Sequence, residues 1–149
     1  MPSRNELESD LKAAMRSGDD VRKRTLRMVL SAVKLAEVDK RGELDEAAMM
    51  AVLQKEVKVR NEAIQDSERA NRPDLVEAAR AELAVLQSYL PKPLSDEELT
   101  RLVRQAIEET GATTPAEIGK VMKSLQPHVQ GKADGKAVSD RVRQLLSAP

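Results

Sequence analysis

The sequence predicts an all-α fold, with an N-terminal helical bundle over residues 1–90 joined to a small C-terminal three-helix domain over 94–149. Three observations predict it. Apolar residues recur at helical spacing along nearly the whole chain. The residues in use, Ala, Leu, Glu, Arg, Lys and Val, favour helix. No period-2 run is long enough for a strand, and there is no solenoid repeat or low-complexity tract. At 149 residues the chain is one or two small domains, and its 40% hydrophobic content supports a core of aliphatic side chains and methionine.

Each element has its own signal. Ser3 and Glu6 form a capping box for a first helix of about 4–16, closed by Ser17-Gly18. Asp19 or Asp20 caps the second, which runs to about Lys40 with Leu26, Val29, Leu30 and Val33 on one stripe. Met28, Ala32 and Leu35 widen that stripe, so this helix is expected to be covered on more than one side. After Gly42 a third helix of about 45–70 carries Met50, Leu53, Val57 and Ile64. Its outer face is assigned the i,i+4 pairs Glu56/Arg60 and Lys58/Glu62, each supporting an exposed helix by about 0.2–0.5 kcal/mol. Asn71-Arg72-Pro73-Asp74 starts a fourth helix, with Leu75, Ala79, Leu83, Leu86 and Leu90 on its apolar side; the four helices are expected to form an antiparallel bundle.

Pro91-Lys92-Pro93 is the domain border, because two prolines at alternate positions remove donors and hold the chain extended. Ser95-Asp96-Glu97-Glu98 is a second capping box, leading into Leu99, Leu102, Val103, Ala106 and Ile107 before Gly111. Thr114-Pro115-Ala116-Glu117 opens the next helix, with Ile118, Val121, Met122 and Leu125. Pro127 ends or kinks it. A last helix after Gly131 and Gly135 carries Val138, Val142, Leu145 and Leu146.

Composition removes whole classes of function. Without cysteine there is no disulfide scaffold, thiolate zinc site or cysteine nucleophile. Tyr89 is the one Phe, Trp or Tyr ring, so aromatic stacking platforms for single-stranded nucleic acid are excluded. The N-terminal residues lack the apolar core of a signal peptide, and no stretch approaches the roughly 20 apolar residues of a membrane span, so the expectation is a cytoplasmic protein with no membrane partner.

The search for catalytic chemistry returns no site. His128 is placed in a loop after Pro127, without the partners that a zinc site or a histidine triad needs, and no metal or cofactor is expected. The pairs Asp19/Asp20 and Glu97/Glu98 lie where helix N-termini favour negative charge, and Glu108/Glu109 is explained by solvation. Gly131-Lys132-Ala133-Asp134-Gly135-Lys136-Ala137 fails as a phosphate loop: three residues, not four, separate its glycines, and Ala137 stands where magnesium needs a hydroxyl. It reads either as a glycine turn with Asp134 as N-cap or as a backbone-and-lysine surface that meets an anion.

Charge distribution says more than the zero total from 25 basic and 25 acidic residues. Between Val21 and Ala36 lie Arg22, Lys23, Arg24, Arg27 and Lys34 and no acid; Lys23, Arg27 and Lys34 share a helical stripe. From Ile118 onward Lys120, Lys123, Lys132, Lys136, Arg141 and Arg143 face only Asp134 and Asp140. These six are the candidate nucleic-acid-binding residues, and the α-helical stripe is a secondary basic patch. Without rings to stack on, contact with a polyanion would run through phosphates and shape.

The run Gly119-Lys120-Val121-Met122, then Pro127 and Gly131-Lys132-Ala133-Asp134-Gly135-Lys136-Ala137-Val138, resembles the C-terminal signature of the YqeY family, also the tail domain of the B subunit of the tRNA-dependent amidotransferase. Thr25-Leu26-Arg27-Met28, Arg60-Asn61-Glu62-Ala63-Ile64, Arg72-Pro73-Asp74-Leu75, Glu82-Leu83 and Tyr89-Leu90-Pro91-Lys92 extend the resemblance to the N-terminal half. It departs at Lys123 (a glycine expected), Lys132 (an arginine), Ser139 (an asparagine) and Ala79 (a glutamate). Lys132 keeps the charge but loses bidentate phosphate recognition. The resemblance implies a free-standing accessory module of the amidotransferase system that touches tRNA, with an amidotransferase or an aminoacyl-tRNA synthetase as further partners. A protein-interaction adaptor is the alternative, drawing on Met28, Met49, Met50 and Met122. The family label of carbon–nitrogen ligase with glutamine as amido-N-donor finds no catalytic residue in this sequence.

Overall fold

The computed structural model describes residues 2–147. Seven α-helices and one 3-10 turn account for the regular structure, with no strand among the described residues: α1 (Arg4–Ser17), α2 (Asp20–Lys40), α3 (Glu46–Arg69), α4 (Pro73–Gln87), α5 (Asp96–Thr110), the turn Pro115–Glu117, α6 (Ile118–Val129) and α7 (Gly135–Ser147). The chain divides into two compact units between Leu90 and Pro91.

Local chemistry sets the helix starts. Ser3 accepts from the Glu6 N–H while the Glu6 carboxylate accepts from the Ser3 N–H at 2.7 Å, and Ser95 with Glu98 repeats the exchange. Asp19 caps α2 through the Arg22 N–H at 3.0 Å, and Asp45 caps α3 through the Ala48 N–H at 2.8 Å. Gly18 and Gly111 close α1 and α5 in the left-handed conformation, where a Cβ is unfavourable. At the end of α2 that conformation falls on Arg41 (φ 61°), one residue before the expected breaker Gly42.

In the first unit α1 packs on α2, α3 on α4, and α2 also meets α3 and α4. Leu7, Leu26, Val29, Val33, Met49, Leu53 and Leu86 form its core. On α3 the buried line is Met49, Leu53, Arg60 and Ser67, displaced from the expected Met50, Val57 and Ile64, which are only partly buried. The expected cover over α2 is also missing in part: Met28 and Leu35 stay exposed.

Arg60 is a larger correction. The Glu56/Arg60 pair does not lie on an outer face; Arg60 is only 3% exposed. Its guanidinium donates to Glu56 at 2.5 Å and to the Met28 Sδ at 3.2 Å, and its Nε lies 3.4 Å from a Glu82 oxygen. Glu82 also takes the Arg24 Nε at 2.9 Å. The resulting chain Arg24–Glu82–Arg60–Glu56 links α2, α4 and α3, beside a fully buried Thr25 whose hydroxyl donates to the Val21 carbonyl at 2.8 Å. Tyr89 makes a second polar link. It donates to Asp10 at 2.5 Å, accepts from Arg22 at 2.8 Å, and lies under the Arg22 guanidinium at 5.5 Å from its centroid.

The second unit buries Leu99, Val103 and Ala106 of α5 against Val121, Leu125 and Val129 of α6 and Val138, Val142 and Leu146 of α7. Pro127 does not end α6. The helix continues to Val129, which is buried, and the Gln130 N–H bonds the Gln126 carbonyl at 3.1 Å. His128 therefore belongs to the exposed last turn of α6 rather than to a loop.

Candidate nucleic-acid interface

The six C-terminal cations divide by what they touch. Arg141 is turned inward: it donates to the Asp96 carboxylate and the Thr100 hydroxyl, joining α7 to the start of α5, with its side chain 20% exposed. Lys120 lies 3.8 Å from Glu117, and Arg143 lies 3.5 Å from Asp140, both as i,i+3 neighbours on exposed surface. Lys123, Lys132 and Lys136 are exposed and make no ion pair among the described residues.

Lys132 and Lys136 lie in and just after the α6–α7 connection, and Lys123 precedes it within α6. Lys123 is on the outer side of α6, opposite Val121 and Leu125. Lys132 is in the connection, and Lys136 is in the first turn of α7. The connection is built by hydrogen bonds. Gly131 adopts φ 79°, the N–H groups of Lys132 and Ala133 both return to the Val129 carbonyl at 2.9 and 3.2 Å, and the Lys132 carbonyl accepts from the Leu94 N–H at 2.8 Å. Lys132 thus has a fixed backbone and a free ammonium group. The Val138 N–H bonds the Asp134 carbonyl at 3.0 Å, so the first turn of α7 opens at that residue.

At the other end of the unit, the Glu117 carboxylate accepts from the N–H groups of Thr113 and Thr114 at 2.6 and 3.1 Å, which hold its carboxyl below the usual range. The Glu98 carboxyl is lowered in the same way, first by the Ser95 N–H. These are structural uses of carboxylates that sequence inspection also assigns to capping. No group of three or more His, Asp or Glu side chains able to hold a metal occurs among the described residues. No helix there is long and apolar enough to cross a membrane.

On α2 the secondary patch is reduced by pairing. Arg22 is committed to Tyr89 and Arg24 to Glu82, while Lys23 lies 3.5 Å from Asp20; Arg27 and Lys34 make no ion pair among the described residues. Of the methionines offered as interaction surface, Met49 is core, Met50 and Met122 are partly buried, and Met28 is half exposed.

A family model described as Yqey-like protein matches residues 4–146. The chain belongs to the YqeY family. Its YqeY relatives include a Pyrenophora tritici-repentis protein, 30% identical over 95% of this chain and 80% of that protein. A Kluyveromyces lactis protein is 36% identical over 92% of this chain and 72% of its own length. One from Lachancea thermotolerans is 35% identical over 74% of this chain, which spans 60% of that relative's length. All three are named "Altered inheritance of mitochondria protein 41, mitochondrial".

These names overturn the cytoplasmic expectation. It rested on a missing apolar leader, the hallmark of secretion, whereas mitochondrial leaders are amphipathic and Arg-rich and have no apolar core to find. A missing apolar core therefore says nothing of the compartment the relatives are named for.

Proposed function

We propose that this YqeY protein is a tRNA-binding accessory module of the tRNA-dependent amidotransferase system, holding folded RNA through phosphate and shape contacts of its C-terminal unit. The observation that supports it most is the trio Lys123, Lys132 and Lys136, exposed and unpaired on α6, on the α6–α7 connection whose backbone is fastened to Leu94, and on the first turn of α7. A cation already held by an acid has less to gain from a phosphate, so these three carry the reading, Lys120 and Arg143 assist, and Arg141 positions α7. The first-turn N–H groups of α7 add partial positive charge beside Lys136. Amidating chemistry belongs, on this reading, to other proteins.

The test is filter binding of bulk tRNA over a salt series. Three phosphate contacts give a slope of log affinity on log salt of roughly −2 to −3, or about a 30-fold loss between 50 and 200 mM. Replacing Lys132 and Lys136 together with Glu is expected to abolish binding while leaving the helical circular dichroism unchanged. Absence of binding at low salt, or an unaltered affinity in the double variant, would refute the proposal.

A further inference from the structure

α2 keeps an apolar stripe that the interior meets only at Met28, whose Sδ accepts from the buried Arg60. Met28, Leu35 and Val38 are 45%, 64% and 65% exposed, although the helix has a complete buried line in Leu26, Val29 and Val33. With Ser31 they recur at i, i+3, i+7 and i+10, the spacing of a heptad seam. Directly before Met28 and Leu35 of the seam lie Arg27 and Lys34, and Arg41 follows as the left-handed residue that closes the helix. All three are exposed, and none makes an ion pair among the described residues. The opposite edge is Thr25, Ala32 and Asp39, with Thr25 buried.

We propose that this face of α2 docks an amphipathic helix of a partner protein whose flanking positions are acidic. Charge complementarity selects that occupant. Seam residues alone would accept any apolar helix, but the unpaired cations Arg27 and Lys34 along one edge favour glutamates opposite them and disfavour a basic helix. A second copy laid antiparallel would set Arg27 and Lys34 against their own counterparts. RNA would leave Leu35 and Val38 uncovered.

The probe is a fluorescent synthetic peptide of about three heptads with Leu at its seam positions and Glu on both flanks, compared with the same peptide carrying Lys flanks. Like charges keep each probe monomeric. Fluorescence anisotropy with the full chain is expected to show the Glu peptide binding at least about tenfold more tightly than the Lys peptide. Leu35→Glu is expected to remove that binding without changing the melt, since the side chain is exposed. The double variant Arg27→Glu/Lys34→Glu is expected to reverse the order of the two peptides. Equal affinities, no saturation, or an unreversed order in the double variant would overturn the proposal. So would flotation with anionic vesicles, tRNA binding lost in this variant without peptide binding, or a dimer that Leu35→Glu dissociates. The lysines that test tRNA binding lie in the other unit, so the two proposals fail separately.

Discussion

Replacing Arg60 tests the architecture of the first unit most sharply. The Arg60 guanidinium is almost fully buried between Glu56 at 2.5 Å and Glu82 at 3.4 Å, and both carboxylates have only 16% of their side-chain surface exposed. In Arg60→Ala, Glu82 keeps Arg24, but Glu56 has no other ion-pair partner among the described residues. A buried pair broken from one side costs about 3–5 kcal/mol, against the 5–15 kcal/mol that separates a folded domain from its unfolded chain. The apolar double replacement Arg60→Met/Glu56→Leu removes both charges and retains volume, so it is expected to cost less than about 1.5 kcal/mol. Tyr89 is the only intrinsic near-ultraviolet ring and lies in the first unit, so its fluorescence in a urea titration follows that unit alone. A loss under about 1 kcal/mol for Arg60→Ala, or equal losses in the single and double variants, would refute the account of a buried, paired network.

Three further outcomes are expected. The Tyr89 phenol is pushed up to about 12, first by burial and then by its hydrogen bond to Asp10, so absorbance at alkaline pH is expected to titrate near 12 rather than 10. A phenol held protonated in the fold stabilises it fully below pH 10 and loses that contribution between 10 and 12; for a partly exposed group this is about 1–2 kcal/mol, read as a falling urea midpoint, and a midpoint flat to pH 12 would contradict it. Arg41→Gly removes the left-handed penalty on a side-chain-bearing residue at φ 61° and adds glycine's chain entropy, for a net gain of about 0.5–1 kcal/mol in thermal unfolding; destabilisation would show that the Arg41 side chain has a structural use. The lowered carboxyls of Glu98 and Glu117 stabilise the second unit above about pH 4.5 and lose that effect as pH falls through their folded values, so carbon-detected NMR should place both midpoints below 4.5; midpoints at or above it would remove the capping explanation.

Helix positions were legible because each capping signal is a local arrangement of three or four residues, as in Ser3/Glu6 and Ser95/Glu98. The inner face of α3 was not. Glu56 and Arg60 are one turn apart whether they face water or the core, and only the approach of Glu82 from α4 and Met28 from α2 makes Arg60 an interior residue. A signal was present: Met28, Arg60 and Glu82 all lie in segments that carry the YqeY resemblance, and the fold brings them together. Likewise, Arg141 and Lys136 look alike as basic residues of one helix. The distinction between them comes from Asp96, which is 45 positions away from Arg141 in the chain.

Pairing, rather than number, decides where a chain of zero net charge can meet an anion. Each charge pair within the fold cancels much of its own field at a distance, so the potential outside is carried by the groups left over. In the first unit Arg22, Arg24 and Arg60 are spent on Asp10, Glu82 and Glu56, while Arg27 and Lys34 are among the cations left and flank an apolar seam. In the second, Arg141 is spent on Asp96, while Lys123, Lys132 and Lys136 are among the cations left, on a surface with no large apolar side chain among its exposed residues. The ring of Tyr89 is covered by Arg22 and offers no platform for a base. In the two proposals the same charge therefore serves two recognition problems: beside apolar side chains it selects the flanks of a protein helix, and without them it favours phosphate.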